Sequence, residues 1–400
     1  MTPTDLSLSG PASKKVPGTP HLQTSVSSAM RISELDGLRG LAILMVITCH
    51  YVGNAEHKQL GFWIHHFLSA LTAGWSGVDL FFVLSGYLIG GILLDARNSS
   101  SYFHAFYMRR VHRILPVYYL WITIYAGLIA LGLWVIPGRY AVSTWDFRQV
   151  LVQIFFLQNF QSGVPQFQWI WFVVTWSLAV EEQFYLLAPP LIRFVSVRKV
   201  VYILSATICL APLLRFMLFR YWLPGTFASL SWMPCRADGL AWGMLLAIAW
   251  REEWFGRFIM DNQQLLKRVV FGLFLGVCGL VWWLAHPPNV VTVTIGYSWL
   301  GIFYCVLILL VLSNTGGCVA GVMRWKLLRK LGTISYCVYI IHDAFNQLAH
   351  RILLQATPQV YNPKGVAVTL LALLLTLSVA SVSWSYFEKP LIRRGHRYQY

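Results

Sequence analysis

Arg39 and His50 stand eleven residues apart in the run Leu35-Asp-Gly-Leu-Arg-Gly-Leu-Ala-Ile-Leu-Met-Val-Ile-Thr-Cys-His50. Eleven helical steps of about 100° make about three turns plus 20°, so both side chains fall on one stripe, roughly 16 Å apart along the axis. An imidazole can take and return a proton near neutral pH, and a guanidinium can hold an anion. Other ionisable groups also lie inside apolar runs: Asp79 near Ser85, the pair Glu181-Glu182, Arg236 near Asp238, and His342. Ser335, Tyr339 and His342 follow helical spacing, as do Ser378, Ser381, Ser385 and Glu388. Charges in a bilayer cost at least a few kcal/mol unless they face protein or water, so a shared polar cavity is expected. Two chemistries fit these residues. A proton-coupled transporter or flippase would use Glu181, Glu182 and His342 as a relay; a membrane-embedded transferase would use a histidine as base. Spacing alone does not separate them.

The elements that must carry these groups are long apolar helices. The chain is 57% hydrophobic and 12% charged, with its apolar residues in successive long runs, more than one soluble core of 400 residues requires. The expected fold is all-α: a polytopic membrane bundle of about ten transmembrane helices around a buried polar cavity. Spans are expected near 36–54, 75–94, 115–136, 172–194, 200–219, 234–250, 269–286, 295–313, 331–350 and 366–388. The stretch from Gln149 to Phe160 is too short to span, and counting it would reverse the downstream charge bias, so it reads as an interfacial or re-entrant helix on the outer side.

The formal charge of +16 does not indicate nucleic acid, because the cations cluster at the ends of apolar runs. Arg97/Arg109/Arg110/Arg113, Arg193/Arg198/Lys199, Arg251/Arg257/Lys267/Arg268, Arg324/Lys326/Arg329/Lys330 and Arg393/Arg394/Arg397 all fall on one side of a ten-span topology. That side is the cytoplasm by the positive-inside rule, with both termini in it. Residues 1–30, rich in Ser, Thr, Pro and Gly, read as a disordered cytoplasmic tail; 31–394 form the membrane domain and 395–400 a short cytoplasmic tail. No internal repeat points to an inverted-repeat transporter. The seven cysteines lack metal or redox spacing and read as small apolar residues.

Five motifs occur in order: Leu35-Asp-Gly-Leu-Arg-Gly-Leu-Ala, Gly77-Val-Asp-Leu-Phe-Phe-Val-Leu-Ser-Gly-Tyr-Leu-Ile89, Arg109-Arg-Val-His-Arg-Ile-Leu-Pro-Val-Tyr118, Trp176-Ser-Leu-Ala-Val-Glu-Glu-Gln-Phe-Tyr185 and Leu331-Gly-Thr-Ile-Ser-Tyr-Cys-Val-Tyr-Ile-Ile-His342. Together they resemble the acyltransferase 3 family of integral membrane O-acyltransferases over about residues 31–394. The resemblance implies transfer of an acyl group, often acetyl, from cytoplasmic acyl-CoA to a hydroxyl of a cell-surface glycan, lipid-linked sugar or secondary metabolite. It also implies a bacterial inner-membrane location. The family's Arg-x10-His element falls on Arg39 and His50, and its Arg-x-x-Arg element on Arg110 and Arg113. Some family members carry a fused esterase-like extracytoplasmic domain. None is visible up to Tyr400, so a second acyl-handling step is expected to need a partner protein. The sequence departs from the family at Tyr87, where Phe is frequent, and at Asp343, which follows His342.

Acyl transfer to an alcohol needs a base, stabilisation of the oxyanion and a clamp for the donor. His50 is the expected base, acting on the acceptor directly or through a transient acyl-imidazole. Arg39 either meets a CoA phosphate or holds Asp36 one turn away. Arg110 and Arg113 are expected to grip the CoA diphosphate, while Arg109 fits ordinary topological anchoring. Glu181 and His342 are expected to support His50. Glu182, Arg236, Asp238 and Asp79 are expected on the substrate side, with an Arg236–Asp238 salt bridge as the structural alternative. The amides of Gly77 and Gly86, or Ser85, are candidates for the oxyanion. No metal is expected, since His65-His66 lies in an outer loop without a matching motif.

Overall fold

The computed structural model describes residues 33–130, 147–161, 173–283 and 289–400, all within one compact unit spanning Ile32–Tyr400. The tail expected over residues 1–30 lies outside the described residues. Among those described there is no strand, only an isolated bridge between Glu56 and Gln359.

In chain order the helices are α1 (Ser33–Thr48), α2 (Phe62–Ala70), α3 (Gly77–Asp95), α4 (Tyr102–Ala130), α5 (Phe147–Ile154) and α6 (Gln158–Gln161). Then come α7 (Trp176–Phe194), α8 (Val197–Met217), α9 (Ala228–Ser231), α10 (Met233–Ala249), α11 (Glu253–Asp261) and α12 (Gln263–Trp283). The last are α13 (Tyr297–Ser313), α14 (Cys318–Met323), α15 (Lys326–Leu354), α16 (Pro363–Ser383) and α17 (Lys389–Gly395).

Among the described residues, helix occupies every segment expected to span, while 131–136, 172 and 284–286 of those segments lie outside the described residues. Among the described residues, six stretches are long and apolar enough to cross a membrane: Ser33–Gly53, Phe62–Asp95, Val197–Trp222, Gln263–Val281, Thr292–Ser313 and Pro363–Gly395. The helices α7, α10 and α15 fall below that standard. The reason is physical: α10 has only 17 residues, and α7 and α15 carry the ionisable groups singled out above. The large apolar side chains left exposed on α8, α12 and α16, such as Leu210, Phe271 and Leu374, suit contact with lipid.

Close helix contacts set the site. Gly332 of α15 packs on the backbone of Asp36, and Gly243 of α10 on the backbone of Val83 in α3; a Cβ at either would collide with main chain. Small residues allow this approach, which dispersion and hydrogen bonding then stabilise. The result is α15 laid along α1, with α16 on its other flank, and α3 laid along α10. The stretch 149–160 proves to be α5 and α6, broken at Phe156, whose φ of +54° is unusual for a non-glycine residue. It turns inward: Gln153, Gln158 and Asn159 are buried, Tyr118 donates to the Gln153 carbonyl at 2.9 Å, and Gln158 donates to that of Thr175 at 3.0 Å. All seven cysteines are free thiols, three of them buried.

Candidate active site

The outgoing end of α1 is distorted. Residues Cys49–Gly53 form a π-helical turn, a rare local widening often found at functional sites, and it carries His50. The Nδ1 of His50 lies 2.9 Å from the carbonyl of Val46. A carbonyl only accepts, so in the neutral ring Nδ1 carries the hydrogen and Nε2 keeps its lone pair. His342 on α15 repeats the arrangement: its Nδ1 bonds the Tyr339 carbonyl at 2.8 Å, and its Nε2 is buried without a partner. The two rings meet edge to face, 4.9 Å between centroids. His342 is completely buried and His50 half-buried.

Side chains around the pair hold it in register. Asn346, one turn beyond His342, donates to the His50 carbonyl at 3.2 Å. Tyr51 donates to the His342 carbonyl at 2.9 Å and meets Thr376 of α16 at 2.8 Å. Tyr339 reaches α7, with its hydroxyl 2.6 Å from that of Ser177. Asp343, buried beside His342 and bonded by Gln347 at 2.8 Å, lies within electrostatic reach of His50. Spacing pointed to Tyr339 and His342; extending that stripe by four residues would have found Asn346.

A second polar cluster forms where α1, α3, α4 and α7 meet. Glu181 accepts from Ser85 at 2.8 Å and from Tyr185 at 3.4 Å, and it faces the charges of Arg113 and Arg39. It therefore bonds Ser85 and Tyr185 rather than His50. Arg39 also pairs with Asp36 at 3.3 Å, the contact that the structural reading of that arginine expected. Arg113 lies in the field of Arg39, Arg110 and Glu181. The Arg110 guanidinium sits 5.5 Å over the Tyr185 ring and leaves Nε buried without a partner. Glu182 likewise keeps Oε1 unpartnered. Ser381 and Ser385 bond carbonyls of their own helical segment, but Glu388 turns inside, buried, accepting from Ser383 at 3.0 Å and facing Arg113. Arg109, expected to be only an anchor, donates to the Tyr398 carbonyl at 2.7 Å and so ties down the chain's last residues.

The third cluster corrects an expected pairing. Arg236 bonds Asp79 at 2.7 Å, not Asp238. Asp238 is held by Arg215 of α8 at 2.8 Å, with Ser298 closing the group: it accepts from Arg215 at 2.7 Å and donates to Asp238 at 3.3 Å. Arg215 was not among the sequence candidates, though an arginine within an apolar run is itself a signal. Arg236 lies 4.0 Å over the Tyr297 ring, with Nε and Nη1 unpartnered, and Oδ2 of Asp79 is also unpartnered. Of the sequence candidates, then, His50 joins His342, Arg39 and Arg113 gather at Glu181, and Asp79 joins Arg236. Among the described residues no three side chains are placed to hold a metal ion.

Two imidazoles 4.9 Å apart, and buried arginines and carboxylates gathered among long apolar helices, define a helical membrane protein with a polar interior. The acyltransferase domain model matches residues 32–386, and the chain belongs to that family. It is 28% identical to YrhL of Bacillus subtilis strain 168, provisionally named a peptidoglycan O-acetyltransferase, over 92% of this chain and 56% of that protein. It is 27% identical to the peptidoglycan O-acetyltransferase OatA of Listeria monocytogenes (93% and 58%). It is 26% identical to the O-acetyltransferase OatA of Staphylococcus aureus strain NCTC 8325 (91% and 57%). The chain thus spans little more than half the length of these relatives. No solved structure matches it.

Proposed function

We propose that this chain is a membrane O-acyltransferase that moves an acetyl group from cytoplasmic acyl-CoA to a hydroxyl of a cell-wall glycan, in a bacterial inner membrane. The observation that carries the reading is the His50–His342 pair, each ring held at Nδ1 by a backbone carbonyl and each leaving Nε2 a lone pair. The names of the Bacillus and Listeria relatives support the glycan acceptor, and the arginines of α1 and α4 support an anionic donor.

In this mechanism Nε2 of His50 takes the proton of the acceptor hydroxyl as the oxygen attacks the thioester carbonyl. The C–S bond breaks, and the leaving thiolate takes the proton back from His50, which returns neutral. Where the acyl group rests transiently on His50, the same nitrogen serves as nucleophile. Nε2 of His342 accepts a second hydrogen bond and orients the acceptor. Ser85, which donates to Glu181, turns to donate to the oxyanion instead. Arg39, Arg110 and Arg113 grip the donor phosphates through charge-assisted hydrogen bonds. On the acceptor side, Arg236 offers two nitrogen donors and Asp79 one carboxylate oxygen, in a site that Asp238 helps hold through Arg215; Glu182, beside Glu181 and Arg110, offers a further carboxylate oxygen to the substrate.

The test is a release assay on purified, reconstituted protein with acetyl-CoA. Free CoA should appear only when acceptor glycan is present. A flippase or proton-coupled transporter would move its substrate without acetyl-CoA and release no CoA.

A further inference from the structure

The last residues of the chain are not a loose tail. Helix α17 packs on the early part of α4, where Gly395 lies against His112. Arg109 donates to the Tyr398 carbonyl at 2.7 Å and its guanidinium lies 4.6 Å over the Tyr400 ring. Ser101 donates to the Gln399 carbonyl at 2.7 Å, and the Tyr398 ring stands 5.6 Å from that of His112. The segment is thus fixed beside Arg110 and Arg113.

The surface it builds is cationic and aromatic. Residues 102–113 and 389–400 together hold seven Lys or Arg and no Asp or Glu. Arg394 and Arg397 are exposed, and their side chains have no hydrogen-bonded partner among the described residues. Partial desolvation, then the charges of Arg109, Arg113 and Arg110, hold the exposed His396 imidazole below its usual range, which favours the neutral ring that can accept as well as donate. Exposed guanidinium groups beside aromatic rings suit a ligand that joins phosphate to a heteroaromatic base.

We infer that the docked C-terminal segment is part of the donor site, where Arg394, His396, Arg397 and Tyr398 read the phosphorylated adenosine end of acyl-CoA. The diphosphate then lies on Arg110 and Arg113, and the acyl arm enters toward His50. This inference rests on the donor being acyl-CoA. Anionic lipid headgroups share the phosphate chemistry, so the test must separate the two sources.

The experiment compares wild type with Arg394→Gln/Arg397→Gln, both in vesicles of neutral phosphatidylcholine and in vesicles containing phosphatidylglycerol. Donors are acetyl-CoA, acetyl-3′-dephospho-CoA and acetyl-pantetheine. The variant's KM for acetyl-CoA should rise about tenfold, equivalent to about 1.4 kcal/mol, in both vesicle types, with kcat unchanged. KM for acetyl-pantetheine should not move, and that for the dephospho donor should move less. Lys267→Gln/Arg268→Gln, which removes two exposed charges elsewhere on the side expected to be cytoplasmic, should leave all three values alone. Equal shifts for every donor, no shift, or a shift confined to anionic vesicles would overturn the inference. If wild type releases no CoA from acetyl-CoA at all, the donor reading itself fails, and this inference with it.

Discussion

His342 meets His50 edge to face at 4.9 Å, and each ring is pinned through Nδ1 to a carbonyl one turn back on its own helix. Two imidazoles so close cannot both be charged at small cost when water is scarce. The arrangement therefore favours one proton carrier and one neutral partner. The buried, unpartnered Nε2 belongs to His342, and a buried unsatisfied acceptor costs on the order of 1–3 kcal/mol unless a ligand or water fills it.

It follows that His342→Ala should slow turnover less than loss of His50 and should raise the acceptor KM. Initial-rate kinetics at varied acceptor concentration will check this. A fall in rate as large as that of His50→Ala, with acceptor KM unchanged, would move His342 into the proton-transfer role.

Arg113→Ala should raise the donor KM by one to two orders of magnitude, since a charge-assisted phosphate contact contributes roughly 1.5–3 kcal/mol. Because Glu181 and Glu388 face Arg113, thermal unfolding of the variant is measured alongside its kinetics. An unchanged donor KM in well-expressed protein would return Arg113 to a topological role.

Arg215 and Asp238 form a buried pair. Arg215→Met should strand the Asp238 charge and destabilise the fold by about 3–5 kcal/mol. The double change Arg215→Met/Asp238→Leu should recover much of that loss. Thermal unfolding in detergent will compare the three proteins, and a double variant no more stable than Arg215→Met would show that the pair does more than neutralise itself.

Topology is checked by labelling single cysteines in a chain stripped of its native ones. Lys58→Cys should react from outside, and Leu327→Cys and Trp254→Cys only after the cytoplasmic face is opened. Labelling of position 254 from outside would overturn the orientation on which cytoplasmic donor entry depends.

The sequence revealed the helices well because apolar runs and terminal arginines are local signals. It singled out His50, His342 and the α4 arginines as candidates because their motifs are contiguous. Partnerships across helices were harder to see. Asp238 lies two residues from Arg236, but successive helical residues point about 100° apart, so these two serve different neighbours, Arg215 and Asp79. The role of Arg109 was hidden for the same reason: its partner Tyr398 is 289 residues away, and nothing local announces the contact. The break at Phe156 depends on a backbone conformation that its side chain does not favour, so propensity could not place it.

The most direct test of the account is His50→Ala in reconstituted protein, with acetyl transfer and CoA binding measured on the same sample. Transfer should fall at least about 10²-fold, the lower end of general-base contributions, while CoA binding stays at the wild-type value because the arginine clamp is intact. Near-normal transfer would contradict the account by removing His50 as the base, and an equal loss of binding in folded protein would contradict its separation of donor clamp from proton carrier.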